Sequence, residues 1–274
     1  MALPVPTSLS PSRVEAFTTC PLAFRFASID KLPEPPSPHT AKGNLVHRAL
    51  ELLFCAEPEQ RTPSFADEAL DRAVAEARDE ATFALLGLDT ATEADFVDDA
   101  RALVHRLFVM EDPRAVRAIG IELFLTAEVG PLALRGIIDR LELDAQGELV
   151  VSDYKTGRAP SLHYEQRRLG GVHFYAFLCE QVFGRRPARV QLLYLRSGEV
   201  IQAYPSEQSV RFLPRRTAAV YQAIERACAA GEFRPRPGPL CAHCAYQRWC
   251  PAFGGDPEQA AREAPEILLA PAAA

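Results

Sequence analysis

Three cysteines crowd into CAHCAYQRWC as Cys241, Cys244 and Cys250, and a fourth, Cys20, lies near the opposite end of the chain. A Cys-x2-Cys pair on a tight turn can place two sulfurs on one ion or cluster, and Cys250 with one distant cysteine completes the thiolate set. Such a set closes the chain on itself, which restricts the fold more than any other feature here. The competing reading makes Cys20 an ordinary buried thiol. The total of seven cysteines is odd. The start, MALPVPTSLS, has neither a charged n-region nor an apolar h-region. A disulfide framework is therefore not expected, and a reducing cytoplasm is. Cys55, Cys179 and Cys228 sit in helical, mostly apolar stretches and read as core residues without chemistry.

The 274 residues are 48% apolar, with no uninterrupted apolar run long enough to span a bilayer, so a substantial core and no membrane contact are expected. One domain over 1–253 is the simplest count, with a helical insertion at about 60–112 and a disordered tail at 254–274. A net charge of −6 gives no global support for nucleic-acid binding. Phosphate contacts must then come from a local basic patch or a bound cation.

Ser10 and Pro11 have the N-cap and first-turn chemistry of a helix running to about Phe26, on which Cys20 would ride. LPEPPSP, Leu32 to Pro38, reads as an extended connector. GNLVHRALELLF puts Leu45, Ala49, Leu52 and Leu53 at helical spacing, with Gly43 at its start and His47 between them. Amphipathic stretches follow at about Phe65–Leu86 and Glu93–Met110. From about Ile119 the period changes, and IELFLTAEV, LALRGIIDRLEL and ELVVSDY read as three successive strands, the last two joined by a turn at Asp144 to Gly147. A helix at about His163–Phe183, a hairpin around Ser197 and Gly198, and a long helix at about Ser209–Ala230 complete the pattern.

In LVVSDYK, residues two apart share a strand face, so Asp153 and Lys155 project together. Alone, that pair reads as a surface ion pair. On the preceding strand Asp139 interrupts an apolar alternation and shares a face with Ile137, Leu141 and Leu143. Burial of a carboxylate there calls for a partner such as a hard cation. His47, a lone histidine on an apolar helix, reads by itself as a core residue. The ordered set Gly43-x3-His47, Gly136-x2-Asp139 and Asp153-x-Lys155 is more specific than any member.

With these motifs, from SLSPSRVEAFTTCPLAFRF through GNLVHRALE, RGIIDRLEL and VVSDYKTG to CAHCAYQRWCP, the chain resembles the RecB-like nucleases of the PD-(D/E)XK superfamily. It is most similar to their iron–sulfur branch of CRISPR-associated exonucleases and AddB-type C-terminal nuclease domains. The resemblance implies an α/β restriction-endonuclease-like core with a mixed central sheet flanked by helices. It further implies metal binding by His47, Asp139 and Asp153, catalysis by Lys155, and a four-iron (4Fe–4S) cluster on Cys20, Cys241, Cys244 and Cys250, for which Zn2+ is the alternative occupant. The family's helical Gln-x3-Tyr motif is matched by Tyr175, whereas Gly171 stands at the glutamine position and Gln166 is out of register.

The expected reaction is Mg2+- or Mn2+-dependent hydrolysis of DNA phosphodiesters at single-stranded ends, in repair or recombination. Asp139, Asp153 and His47 would be ligands, with the Tyr154 carbonyl as a further one, and Lys155 would orient water or stabilise developing charge. Arg158, Arg167 and Arg168, and near the cysteines Arg234 and Arg236, are candidate strand contacts that read equally as solvated charges. A helicase or CRISPR adaptation complex is the implied partner, since no Gly-x4-Gly-Lys-Ser/Thr loop occurs in the chain. The alternative is a non-catalytic DNA-binding iron–sulfur scaffold subunit. A zinc-ribbon regulator would explain only the C-terminal cysteines.

Overall fold

The computed structural model describes residues 2–159 and 162–268, with the side chains of 162–170, 265, 266 and 268 outside the described residues. In chain order the elements are β1 (Ser8–Leu9), α1 (Pro11–Thr19), α2 (Pro21–Phe24), α3 (Pro38–Cys55), α4 (Pro63–Arg78), α5 (Ala81–Ala84) and α6 (Thr90–Met110). Next come β2 (Arg117–Val129), β3 (Leu132–Leu143), β4 (Leu149–Lys155), α7 (Leu162–Phe183), β5 (Arg189–Tyr194), β6 (Glu199–Ala203), α8 (Glu207–Ala230) and α9 (Pro257–Leu268). The architecture is α/β: the strands form one mixed sheet and helices flank it. No helix among the described residues is long and apolar enough to cross a membrane.

The chain divides into two compact units. The first comprises Met1–Pro35, Thr126–Arg135 and Arg211–Pro271. Ser10 caps α1 by accepting from the Arg13 N–H at 3.3 Å. The helix does not continue to Phe26. Cys20 is extended, at φ −153 and ψ 106, because the proline that follows excludes helical geometry at the residue before it. Cys20 therefore closes α1 and opens α2 instead of riding on a single helix. In this unit β1 pairs in parallel with the start of β3, Ser8 opposite Ala133. Leu22, Phe24, Phe26, Ile224 and Trp249 are buried.

Beyond Gly255, where the sequence offers no convincing core pattern, the chain forms α9. Ala260 and Ala264 are buried four positions apart, and Glu263 accepts from Trp249 Nε1 at 3.0 Å. Small residues and one polar anchor hold this helix, a signature that hydrophobic periodicity does not register.

The second unit comprises Pro36–Leu125 and Gly136–Val210, together with 272–274, which lie outside the described residues. Here α3 starts at Pro38, five residues before Gly43, and turns Leu45, Val46, Ala49, Leu50 and Leu53 into a core shared with α4 and α6. Thr62 caps α4 through the Phe65 N–H at 3.2 Å, and Asp89 caps α6 through the Thr92 N–H at 2.8 Å. The helices read as an insertion therefore complete the core behind α3. Cys55, by contrast, ends α3 exposed, not in the core.

β4 is central, antiparallel to β3 and parallel to β5, with α7 as the crossover. The β3–β4 turn forms where expected, with the Gly147 N–H donating to the Asp144 carbonyl at 2.9 Å. β5 and β6 form the hairpin around Gly198, whose φ is +73. Tyr154 and Leu193 pack into the helical core. Alternation along β4 then turns Asp153 and Lys155 the other way.

Beneath β3 and β4 lies a buried polar knot. Arg140 is fully buried, bonded to Glu111 at 2.5 and 2.9 Å, to Glu142 at 2.5 Å and to the Tyr154 hydroxyl at 2.9 Å, with its guanidinium 4.4 Å from the centre of the Phe54 ring. Neighbouring positions on these strands thus point Arg140 and Tyr154 to one face and Asp139, Asp153 and Lys155 toward another chemistry.

Candidate active site

The second unit brings His47, Asp139, Asp153 and Lys155 together. α3 carries His47, β3 carries Asp139, and β4 carries Asp153 and Lys155. His47 Nδ1 lies 3.5 Å from Asp139 Oδ2, and His47 Nε2 lies 3.1 Å from the Tyr154 carbonyl oxygen. Asp139 Oδ2 also accepts from the Tyr154 N–H at 2.7 Å. Lys155 Nζ pairs with Asp153 Oδ2.

One participant belongs to none of the sequence motifs. Glu122, on β2, places Oε1 3.9 Å from His47 Nδ1. Ligand atoms of His47, Glu122 and Asp139 all lie within 4.8 Å of one another, the one such group of three among the described residues. The backbone aims Glu122 by an uncommon route, a left-handed φ of +43. Gly120 makes room for the kink: a Cβ there would meet Leu123 Cδ2 at 2.8 Å. The available signal was an acid inside an apolar strand, the same one that marks Asp139.

The electrostatics follow from burial and like charge. Desolvation, then the neighbouring Asp153 carboxylate, push Asp139 up to about 7, against the opposing pull of His47 and the Tyr154 N–H. Burial lowers His47, but the contact with Glu122 and the charges of Asp139 and Asp153 outweigh it, so its net shift is upward. Burial likewise opposes the charge on Lys155, and Asp153 more than restores it. Tyr175 is raised by burial and then by Asp153, Asp139 and Glu122, so its phenol stays protonated at the rim of the carboxylates.

Gly136 explains how Tyr175 reaches that rim. A side chain at Gly136 would press on Leu178 Cδ1 at 2.9 Å and on Tyr175 Cε1 at 3.3 Å. Gly171, at the glutamine position of the motif, has no atom within 4 Å of where a Cβ would sit. Arg158 is exposed just after β4. The side chains of Gln166, Arg167 and Arg168 lie outside the described residues.

The donor set suits a hard divalent cation: carboxylate oxygens and one imidazole nitrogen facing a common point. A buried carboxylate beside two others is costly unless positive charge joins them. His47, Glu122 and Asp139 are placed to supply that setting.

In the first unit Cys20, Cys241, Cys244 and Cys250 line one small cavity, with Phe26 and Tyr246 among its walls. Burial raises the Cys244 thiol and a hydrogen bond from the Tyr246 backbone lowers it, while its three cysteine neighbours raise it further. The sulfurs are not drawn to the mutual distances of the His47 group. Arg236 also lines this cavity and donates from Nη1 to the Thr18 carbonyl, and Arg234 is exposed.

The chain is similar to the Gene 69 protein of Mycobacterium phage D29, at 25% identity over 267 residues, covering 89% of this chain and 96% of the phage protein. It is similar to the Gene 69 protein of Mycobacterium phage L5 at 28% identity over 136 residues, 48% of this chain and 44% of that protein. The crystal structure of SSO0001 aligns over 92% of this chain and 89% of that chain, at 13% identity and a TM-score of 0.43. Residues 8–251 match the PD-(D/E)XK nuclease superfamily, and the chain belongs to that superfamily of metal-dependent nucleases.

Proposed function

We propose that this protein is a DNA exonuclease that hydrolyses phosphodiester bonds from single-stranded ends with Mg2+ or Mn2+, in DNA repair or recombination. The observation that carries the reading is the meeting of His47, Glu122 and Asp139 ligand atoms within 4.8 Å in a chain of this superfamily. His47 Nδ1, Asp139 and Glu122 would hold the cation, with Asp153 beside them. A bound divalent cation supplies charge that offsets the scissile phosphate and makes water a competent nucleophile near neutral pH.

The chain's own groups do the positioning. The Tyr154 carbonyl takes the Nε2–H of neutral His47, leaving the Nδ1 lone pair directed at the carboxylates. Lys155, held as an ammonium by Asp153, orients the attacking water or stabilises charge that develops on the phosphoryl oxygens. Tyr175 keeps its proton and can donate to a substrate oxygen. Arg158, Arg167 and Arg168 would hold the strand beyond the scissile bond.

The family match extends from residue 8 to 251, which supports one nuclease domain over 1–253. The shared cavity of Cys20, Cys241, Cys244 and Cys250 supports a place in the RecB-like iron–sulfur branch, with a 4Fe–4S cluster on those thiols in a reducing cytoplasm and a helicase or CRISPR adaptation complex as partner. Zn2+ is the competing occupant. Iron and acid-labile sulfide in anaerobically purified protein test this branch assignment, and stoichiometric zinc without sulfide would overturn it. The exonuclease reading is tested by comparing linear with circular single-stranded DNA: linear strands should be lost while circles persist, and nicking of circles would make the enzyme an endonuclease.

A further inference from the structure

Two opposite faces of α3 have opposite character. One enters the core through Leu45, Val46, Ala49 and Leu50. The other, followed at helical spacing through His39, Gly43 and His47, lines an open groove of about 480 Å³ whose other wall includes Glu122 and Thr156. The middle of that face carries no side chain.

Gly43 sits inside the helix, where glycine is about 1 kcal/mol less favourable than alanine. Folding gives no reason for it. Its φ is not positive, and a Cβ at Gly43 would meet only Thr156 Oγ1, at 3.6 Å, an ordinary van der Waals contact. Gly136 differs, since a side chain there would collide with Leu178. What a Cβ at Gly43 would occupy is the groove.

The groove's polar groups are poised for a ligand. Among the described residues, Thr40, Asn44 and Thr156 line it with no hydrogen bond from their side chains to protein. Its arginine, Arg48, is already held by Glu51 at 2.8 Å and Glu76 at 2.7 Å. The groove thus offers neutral hydrogen-bonding groups next to a cation site, which suits phosphate oxygens whose charge is offset by the cation. Its volume of about 480 Å³ is in the range of nucleotide-sized ligand sites, about 300 to 1,000 Å³.

We infer that a single nucleic-acid strand lies along this face of α3, its sugar–phosphate backbone crossing the helix at Gly43 and its phosphate oxygens bonded by Thr40, Asn44 and Thr156. Glycine permits the close approach of strand to helix backbone. The inference rests on the nuclease reading and names the seat of the strand beside the scissile bond.

The test is binding of a fluorescently labelled single-stranded oligonucleotide in Ca2+, read by anisotropy, for wild type, Gly43→Ala and Gly43→Leu. Thermal melting and Mn2+ titration accompany each variant. Gly43→Ala should melt at or above the wild-type temperature and bind Mn2+ as wild type does, while strand affinity falls about tenfold, and further for Gly43→Leu as bulk enters the groove. Wild-type strand affinity in a folded Gly43→Ala protein would overturn the inference, as would a wild-type protein that binds no strand. A wild type that binds the strand but never cleaves it, with binding lost at Gly43→Ala, would sustain the seat and overturn the nuclease reading alone.

Discussion

His47 Nε2 lies 3.1 Å from the carbonyl oxygen of Tyr154, and because a carbonyl can only accept, that nitrogen carries the proton. In the neutral ring Nδ1 is then the lone-pair nitrogen, and it faces Asp139 at 3.5 Å and Glu122 at 3.9 Å. The residue between Asp153 and Lys155 therefore sets the tautomer of the proposed cation donor on α3. The same residue's N–H holds Asp139 at 2.7 Å. One residue of β4 orients both.

This arrangement makes cation binding depend on pH in a definite direction. Asp139 is pushed up to about 7, above its ordinary 3.8. In the cation-free protein this group costs stability as pH rises from about 4 toward 7, because the unfolded chain ionises first. His47, shifted upward, adds stability at low pH that is lost as pH rises through its folded pKa. Both groups make the cation-free fold relatively more stable on the acid side of neutrality, whereas a cation requires them deprotonated. The rise in melting temperature on adding Mn2+ should be larger at pH 8 than at pH 6, with protons released on binding. Calorimetry in buffers of different ionisation enthalpy measures that release.

Glu122 combines the proposed ligand role with a strained backbone, φ +43, a conformation that costs about 1–3 kcal/mol in a residue with a side chain. Glu122→Gln should weaken Mn2+ binding about tenfold while leaving the fold intact. Glu122→Gly should weaken binding similarly and hold or raise the cation-free melting temperature, since strain and like charge both go. Unchanged Mn2+ affinity in both variants would remove Glu122 from the site.

The knot around Arg140 answers to stability, not chemistry. Arg140→Met would strand the Glu111 and Glu142 carboxylates in a largely buried setting. Removing one partner from such a network costs about 3–5 kcal/mol. Urea denaturation should register a loss of that order, whereas Arg101→Met, which breaks more exposed pairs with Asp67 and Asp71, should cost about 1 kcal/mol or less.

Much of this was legible in the sequence, for physical reasons that differ by element. Asp139 and Asp153 stood out because strand alternation is strict and a carboxylate on an apolar face demands a partner. His47 gained meaning only beside them. Glu122 stayed hidden because its direction depends on a left-handed kink that no two-residue period encodes. Apolar spacing carries α1 past its true end because it does not register the backbone restriction that Pro21 imposes on Cys20. The buried face of α9 is alanine, which hydrophobic periodicity does not register, and the apolar neighbours of Cys55 point it inward although α3 ends with it facing solvent.

Lys155 is the residue proposed to act at a cation-dependent phosphodiesterase site. The direct measurement is degradation of end-labelled single-stranded DNA in Mg2+ and Mn2+ by wild type and Lys155→Ala, with Mn2+ binding followed in parallel. Wild type should cleave in a metal-dependent way, with a loss of about 10²–10⁴-fold in the variant while Mn2+ still binds. Cleavage by Lys155→Ala at the wild-type rate, or no cleavage by a folded, Mn2+-bound wild type, would contradict it.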